Sequence, residues 1–254
     1  MVPIVIKNIK IGEGIPKVCL PIVGHTQYEI ISQAMTIAAL RPDIVEFRAD
    51  WFDEALNTEL TLDILKSVRK LLSKIPLLFT FRTKQEGGIM PATPMQYGEI
   101  CRCAIESDLI DMIDLELFVG DDIIKNLMEK AHEKDIKVII SNHDFEKTPP
   151  AMVLISRMEK MIQLGADIPK LAVMPQSNKD VLTLLEVTDI VHNTHPDVPI
   201  ITMSMEGKGI VSRICGEIFG SSVTFGCARK ASAPGQIEAD ELERAIRIVH
   251  DNMS

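Results

Sequence analysis

The chain repeats one structural unit eight times, and this repetition limits the fold more than any other feature. Each unit is a short, continuous apolar segment, then a turn, then a segment with the apolar period of a helix. Apolar runs without alternation are typical of strands buried on both faces, as in a parallel sheet covered by helices. The eight runs begin at Val18, Asp43, Pro76, Met112, Lys137, Pro169, Val198 and Ser222.

Eight such units within 254 residues have the size of a (β/α)8 barrel, the TIM barrel. The alternative is a doubly wound open sheet, which usually has fewer strands and carries a Gly-x-Gly-x-x-Gly motif after the first one. No such motif follows the first apolar run here, and no glycine-, serine- or proline-rich linker divides the chain. We therefore predict a single α/β barrel domain over residues 1–254. Residues 1–15 alternate apolar and polar positions, which predicts an N-terminal hairpin that caps the barrel.

The composition and charge exclude several classes of molecule as binding partners. The formal net charge of −9 argues against a general surface for nucleic acid or for anionic membranes. No apolar run reaches the about 20 residues of a membrane span. The five cysteines are odd in number and lie mostly in apolar runs, as reduced thiols of cytoplasmic proteins do. Cys101 and Cys103 lack a second pair of ligands, so we predict no metal site.

The carboxyl ends of the strands are where a barrel of this type places its reactive groups. At these ends the sequence has acids, a base, an amine, arginines and a small-residue loop, which together suit a small polyhydroxy acid. The polar residues are Glu46, Arg48, Arg82, Glu86, Asp114, Glu116, His143, Lys170, Arg213, Ser232 and Gln236, and the apolar candidates are Met203, Met205 and Phe225.

Lys170 is the most unusual of these residues, because it lies inside an apolar run. A lone ammonium group buried there costs free energy unless it is paired or loses its charge. A neutral lysine amine is a nucleophile that forms imines with carbonyl compounds. His143, at the end of the preceding strand, can carry a proton beside that amine. We therefore predict that Lys170 and His143 are the catalytic pair.

Glu46 and Arg48 also have a structural interpretation. They are two residues apart, so both face the same side of one strand and could form an ion pair inside the barrel or contact a ligand. Arg82 and Glu86 could likewise pair locally.

Two further polar pairs favour structural roles. Asp114 and Glu116 share one strand face and are interpreted as structural. His192 and His195 lie in a helix-to-loop segment that ends at Pro196, which indicates a solvated surface rather than a zinc site.

Six motifs, in order, resemble those of the type I 3-dehydroquinate dehydratases, the Schiff-base-forming dehydratases of the shikimate pathway. They are D-x-V-E-x-R-A-D at the second run, F-R-T-x-x-E-G-G at the third, S-x-H-D-F at the fifth, K-x-A-V-M at the sixth, T-M-S-M followed by G-x-x-S-R at the seventh, and a closing A-S-A-P-G-Q. The resemblance extends from about residue 16 to the last helix. Any one motif is weak, but six at these spacings are specific.

The resemblance implies a hydro-lyase that converts 3-dehydroquinate to 3-dehydroshikimate by syn elimination, with no cofactor and no metal. Lys170 would form an imine with the C3 ketone of the substrate. His143 would take the C2 proton and then protonate the departing C1 hydroxyl, while Glu86 orients His143. The pathway leads to chorismate and the aromatic amino acids, and the resemblance also implies a cytoplasmic homodimer.

The resemblance assigns the remaining residues to substrate binding. Arg213, Ser232 and Gln236 would hold the carboxylate and nearby hydroxyls, and the last two belong to a loop that closes over the substrate. The residues for the ring hydroxyls and the cavity wall are Glu46, Arg48, Arg82, Met203, Met205 and Phe225. One position departs from the pattern: Pro21 stands where many members have a substrate-contacting serine, and proline donates no hydrogen bond.

Two other functions are weighed against this one. A lysine-imine aldolase of the transaldolase or deoxyribose-phosphate type needs a phosphate or sugar-aldehyde site, usually after the last two strands. The turns there contain Glu206 and Pro234 rather than a plain glycine-rich nest. A catalytically inactive barrel used as a binding module would need neither Lys170 nor His143.

Overall fold

Eight parallel strands, with helices between them, form a nearly closed barrel in the computed structural model, which describes residues 2–228 and 231–253. The strands are β1 (Ile4–Ile6), β2 (Ile9–Ile11), β3 (Lys17–Ile22), β4 (Ile44–Arg48), β5 (Leu77–Thr80), β6 (Met112–Glu116), β7 (Lys137–Asp144), β8 (Ile168–Val173), β9 (Ile201–Ser204) and β10 (Val223–Phe225). The helices are α1 (Gln27–Leu40), α2 (Thr58–Leu71), α3 (Pro94–Glu106), α4 (Asp121–Glu133), α5 (Ala151–Leu164), α6 (Asn178–Thr194), α7 (Ile210–Ile214), α8 (Gly216–Phe219) and α9 (Ala239–Asp251).

The barrel strands follow one another in the order β10–β3–β4–β5–β6–β7–β8–β9. The first and last of these are joined by a parallel bridge between Ile200 and Ser221, just before β9 and β10. The Ser222 N–H donates to the Ile200 carbonyl oxygen at 2.8 Å and reinforces that closure. All eight apolar runs are therefore barrel strands, and the predicted TIM barrel is confirmed.

Side chains alternate between the two faces of each strand, as the pleat of a strand requires. Outward residues such as Phe47, Phe79 and Val138 pack against the helices in one apolar core. Inward residues near the strand starts, among them Ile44 and Ile139, form a second core. Further along the strands the inward positions become polar, so the barrel has an apolar floor and a polar upper interior.

The N-terminal hairpin seals that floor. Its strands β1 and β2 pair antiparallel, and the buried Ile6, Ile9 and Ile11 belong to the same core as the inward residues of the strand starts. Lys7, in the turn between them, lies with its Nζ 2.9 Å from Asp111 Oδ2 at the start of β6. The predicted hairpin is confirmed, and its contact with this core agrees with the predicted capping position. The assignment of the whole chain to a single domain stays a prediction.

The βα unit after β9 differs from the others. Its connection to β10 holds two short helices, α7 and α8, instead of one long amphipathic helix. Gly220 ends α8 with a φ of 98°, and a Cβ there would lie 2.2 Å from the His192 ring. Only glycine fits this turn, so the chain must stop its helix here and enter β10. Across the described residues, none of the helices is long and apolar enough to cross a membrane.

Candidate active site

Lys170 lies in the middle of β8, points into the barrel and is 3% exposed. Its Nζ lies 2.9 Å from Asp114 Oδ2 and 4.4 Å from the centroid of the Phe225 ring. The carboxylate and the ring face both stabilise a positive charge on the nitrogen. Of the two possibilities for a buried lysine, pairing or loss of charge, the structure therefore shows pairing.

Asp114 is fully buried and accepts three charged or polar donors. Besides Lys170, Arg82 Nη2 donates to it at 2.8 Å and Ser141 Oγ at 2.5 Å. Burial alone would raise the pKa of this carboxyl, but Arg82 and Lys170 hold the pKa below its usual range, so Asp114 stays ionised. The sequence favoured a structural role for Asp114. Its ion pairs with Lys170 and Arg82 fit that role, and they also place the carboxylate next to the lysine amine.

Arg82 connects the acids of the site. It is only 3% exposed, although it lies beyond the end of β5. Its Nη1 lies 3.1 Å from Glu116 Oε1 and 3.5 Å from Glu86 Oε2. Burial opposes the charge, yet Asp114 and Glu116 raise the pKa of Arg82 well above its ordinary value. The local pairing of Arg82 with Glu86 is present, as one of two interpretations anticipated.

Glu86 is hydrogen-bonded to the backbone and ring of His143. Its Oε2 accepts the His143 backbone N–H at 2.9 Å and lies 3.1 Å from Nδ1 of the ring. Burial, with Arg82 and Lys170 nearby, lowers the pKa of His143 well below its usual value, so the ring is neutral in the free protein. Burial also raises the pKa of Glu86 to about 7. With Nδ1–H facing the carboxylate, the lone pair of Nε2 is available as a base.

The backbone conformation and the lack of space at position 87 require a glycine directly after Glu86. Its φ is 82°, and a Cβ there would lie 2.2 Å from the Phe145 ring. The backbone therefore turns sharply at this point, directly after the short 3-10 turn Lys84–Glu86. That turn directs the Glu86 side chain inward to His143.

Glu46 and Arg48 do not pair with each other among the ion pairs of the described residues. Thr80 Oγ1 donates to Glu46 at 2.8 Å. Arg48 instead makes a two-point contact with Asp50, through Nε at 2.8 Å and Nη2 at 2.9 Å. Asp50 also accepts the Arg82 backbone N–H at 3.3 Å. It is a supporting residue that the sequence analysis missed, although it closes the R-A-D part of a recognised motif.

A cavity of about 40 Å³ lies above Lys170 at the carboxyl end of the barrel. Its lining contains every predicted site residue except Arg213: Glu46, Arg48, Arg82, Glu86, His143, Lys170, Met203, Met205, Phe225, Ser232 and Gln236. The last loop covers it, and Gln236 Nε2 donates to Ser232 Oγ at 3.0 Å within that loop. Arg229 and Lys230, which begin the loop, lie outside the described residues.

Arg213 lies behind this cavity and is 2% exposed. Its guanidinium donates to the carbonyl oxygens of Phe225 at 3.3 Å and Pro234 at 3.1 Å, and Nη1 lies 3.7 Å from Met203 Sδ. Its Nε has no hydrogen-bond partner in the described part of the chain, and no carboxylate there forms an ion pair with it. Burial lowers its pKa to about 10, so it remains a cation at neutral pH. A buried cation without a counter-charge is suited to bind an anion.

Pro21 lies in β3 opposite Glu46 in the strand register, at the level of the site. Within the described ranges, no group of three or more His, Cys, Asp or Glu side chains is arranged to hold a metal ion.

Comparison with known proteins gives a consistent set of relatives. Residues 18–253 match the family model for type I 3-dehydroquinase. The 3-dehydroquinate dehydratase of Clostridium botulinum (strain Eklund 17B) is 52% identical over 248 residues, 98% of each chain, and that of Salmonella typhimurium (strain LT2) is 45% identical over 250 residues, 98% of this chain and 99% of the other. A crystal structure of the Clostridium difficile type I enzyme with covalent modified comenic acid superposes with a TM-score of 0.96, at 46% identity and full coverage of both chains. The Geobacillus kaustophilus enzyme gives 0.91 at 35% identity, with 99% of this chain and 98% of the other covered.

Proposed function

Because this chain belongs to the type I 3-dehydroquinase family, we propose that it is the 3-dehydroquinate dehydratase of a shikimate pathway and that Lys170 performs the reaction as an imine. The observation that carries this proposal is the position of the Lys170 amine. It is buried at the floor of a cavity that also contains the neutral His143 ring and the Glu86 carboxylate.

The Lys170 ammonium first gives one proton to the neutral His143 ring, and the resulting neutral amine attacks the C3 ketone of 3-dehydroquinate. A second proton moves from the lysine nitrogen to the ketone oxygen, and His143 returns the first proton to that oxygen. The oxygen leaves as water, and a protonated imine forms between the lysine nitrogen and C3. Asp114 is suited to both states, since an ammonium and an iminium N–H can each donate to the Oδ2 that lies 2.9 Å away. Because its pKa is held low, Asp114 remains a counter-ion and does not take the proton itself.

His143 then removes the C2 proton at Nε2. The electron pair of the broken C–H bond moves toward the iminium nitrogen and gives an enamine. The positively charged iminium accepts this electron pair more readily than the original ketone would. The imidazolium so formed is adjacent to Glu86, whose carboxylate stabilises the positive ring.

The imidazolium next donates its proton to the C1 hydroxyl, which leaves as water. The enamine electrons form the C1–C2 double bond and restore the iminium. Hydrolysis of that iminium uses one water molecule, releases 3-dehydroshikimate and returns the Lys170 amine. The net change is the loss of one water molecule from the substrate.

Binding of the substrate carboxylate is assigned to Arg213, with Ser232 and Gln236 of the last loop. What supports this is the uncompensated charge of Arg213 behind a cavity that the two loop residues line. Movement of the Met203 side chain would connect that guanidinium to the cavity, since methionine is unbranched and adaptable. The ring hydroxyls would be held by the residues of the upper interior, which are Glu46, Arg48 and Arg82.

Borohydride trapping tests this function. The protein is incubated with 3-dehydroquinate and sodium borohydride, digested, and analysed by mass spectrometry, with product formation followed by the absorbance of the conjugated enone. A reduced adduct on the peptide that contains Lys170, together with turnover, supports the proposal. Turnover with no adduct would reject the lysine, and an adduct only with aldolase substrates would reject the dehydratase.

The oligomeric state and the location extend the proposal. We propose a homodimer in the cytoplasm, as the family resemblance implies. Light scattering coupled to size-exclusion chromatography measures the mass directly. A mass of about 28 kDa, that of one chain, would contradict the dimer.

A further inference from the structure

We propose that Asn142 and Arg157 are positioning residues, which hold Glu86 and His143 in the arrangement that leaves His143 Nε2 free to accept a proton. The inference rests on the proposed role of His143 as the base. Asn142 lies on β7 with its side chain on the outer face of the barrel, and Arg157 lies on α5. Neither residue is among those that line the cavity above Lys170 in the described part of the chain.

The contacts form one continuous line from the helix to the base. Arg157 Nη1 donates to Asn142 Oδ1 at 2.7 Å, and Asn142 Nδ2 donates to Glu86 Oε1 at 2.9 Å. The other Glu86 oxygen, Oε2, faces the backbone and Nδ1 of His143 at 2.9 and 3.1 Å. Asn142 is 4% exposed, so few water molecules can reach its amide group.

The direction of this line follows from the chemistry of arginine. A guanidinium has only donors, so the Asn142 carbonyl oxygen must face Arg157 and the NH2 group must face Glu86. One Glu86 oxygen is thereby occupied by an amide donor, and the other is presented to His143 as an acceptor. An acceptor at Nδ1 selects the tautomer with the proton on Nδ1 and the lone pair on Nε2.

Without Arg157, only the Glu86 carboxylate itself favours this direction of the amide, and it does so only while it is ionised. The Asn142 group could then turn and place its carbonyl oxygen against Glu86 Oε1, so that two acceptors face each other. Protonation of Glu86 would relieve that contact. Burial and Glu116 already raise the pKa of Glu86. The charge of Arg82 and the hydrogen bonds from Asn142 and the His143 N–H oppose that rise. A protonated Glu86 can donate to Nδ1, which moves the ring proton to Nε2 and removes the base.

Neighbouring side chains hold the Arg157 guanidinium in its position next to Asn142. Its guanidinium lies 5.6 Å from the centroid of the Phe118 ring, and Nη1 lies 3.9 Å from Asp144 Oδ2. Arg157 is part of the wall of a larger groove of about 620 Å³, which also contains Asn142 and the outer side of His143. Because the arginine lies on a helix surface, its replacement leaves the barrel core unchanged.

The test compares Arg157→Met with Arg102→Met. Arg102 is a partly exposed arginine of α3 that pairs with Glu99 and Glu106, away from the cavity. Nitrogen-15 NMR of the histidine rings reports the tautomer of His143, whose signals are assigned by their loss in His143→Gln. At about pH 8, where Glu86 with its pKa of about 7 is mostly ionised, we expect the Nδ1–H form in wild type and Arg102→Met. In Arg157→Met we expect a tautomer mixture, with kcat lower by about 10-fold and KM within about twofold.

Two further variants sharpen the result. Arg157→Lys keeps a donor for Asn142 and should recover most of the lost kcat and the Nδ1–H signal. Asn142→Ala removes the side chain that connects Arg157 to Glu86, so adding Arg157→Met to it should not lower kcat further. If the kcat losses of the two single variants multiply in the double variant, the inference is overturned.

The remaining outcomes also decide the inference. A wild-type tautomer of His143 in Arg157→Met would overturn it, as would a rise in KM with kcat unchanged. The NMR measurement needs no substrate. Absence of dehydratase turnover in the wild type would therefore overturn the proposed function alone, while the tautomer comparison still decides the role of Arg157.

Discussion

The carboxylate of Asp114 lies between two cations, with Oδ2 2.9 Å from Lys170 Nζ and Oδ1 2.8 Å from Arg82 Nη2. This arrangement holds a lysine and an arginine together inside a barrel from which water is largely excluded. One carboxylate thus pairs with both cations, and in the proposed mechanism Lys170 would keep this partner before and after it becomes an imine.

Replacing Asp114 with Asn tests that relationship. The amide has the same shape but no charge, so Lys170 and Arg82 would face each other without an anion between them. We expect the free energy of unfolding in urea to fall by about 3–5 kcal/mol, the usual cost of breaking a buried ion pair. Asp63→Asn, at an exposed pair with Lys66, serves as the control and should change stability by no more than about 0.5 kcal/mol. Equal stability of both variants would contradict this view.

Lys170→Met separates the chemical role of the lysine from its structural one. The substitution removes the amine, while Asp114 keeps its contacts with Arg82 and Ser141. We therefore expect a folded protein, with wild-type far-ultraviolet circular dichroism, whose kcat is lower by at least about 10³-fold. Borohydride treatment with substrate should leave it unlabelled. Retention of full activity would refute the imine mechanism.

The sequence predicted the barrel because parallel strands that are buried on both faces consist of continuous apolar residues. It also indicated which side chains meet at the cavity, because a lysine in such a run is conspicuous and because residues two apart share a strand face; their catalytic roles stay a prediction. Both signals are local to one strand.

The partners of these residues were harder to predict, since they depend on neighbouring strands. Asp114 on β6 meets Lys170 on β8 across β7, a contact set by the tilt and stagger of the barrel. Arg48 has two acids at equal spacing, Glu46 and Asp50, and the turn after β4 selects Asp50. The position of Arg213 behind the cavity likewise depends on the two short helices after β9, which the apolar pattern did not indicate.

The pH dependence of kcat/KM should reflect the protonation of Glu86. Its pKa of about 7 means that the carboxyl gains a proton as the pH falls through neutrality, and a protonated Glu86 cannot accept the Nδ1–H of His143. We therefore expect kcat/KM to decrease on the acid side of about pH 7. Glu116 is one of the groups that raise this pKa, so Glu116→Gln should move the acid limb to lower pH. A limb that stays in place or moves to higher pH in that variant would show that Glu86 is not the titrating group.

Replacing each of two buried arginines by Met should change the free energy of unfolding by very different amounts. Arg82 forms ion pairs with Glu86, Asp114 and Glu116, so Arg82→Met leaves buried carboxylates without a cation and should lower the free energy of unfolding by several kcal/mol, about 3–5.

Arg213, in contrast, has no carboxylate partner among the described residues, and its burial costs free energy in the unliganded protein. Arg213→Met loses hydrogen bonds to two carbonyl oxygens but removes that cost, so its stability should stay within about 1 kcal/mol of wild type. If the uncompensated charge is kept to bind the substrate carboxylate, KM for 3-dehydroquinate should rise by about 100-fold, the equivalent of a lost charge-assisted contact. Urea unfolding and steady-state kinetics on both variants measure the two effects. A strongly destabilised Arg213→Met with an unchanged KM would show that this arginine serves the fold and not the ligand.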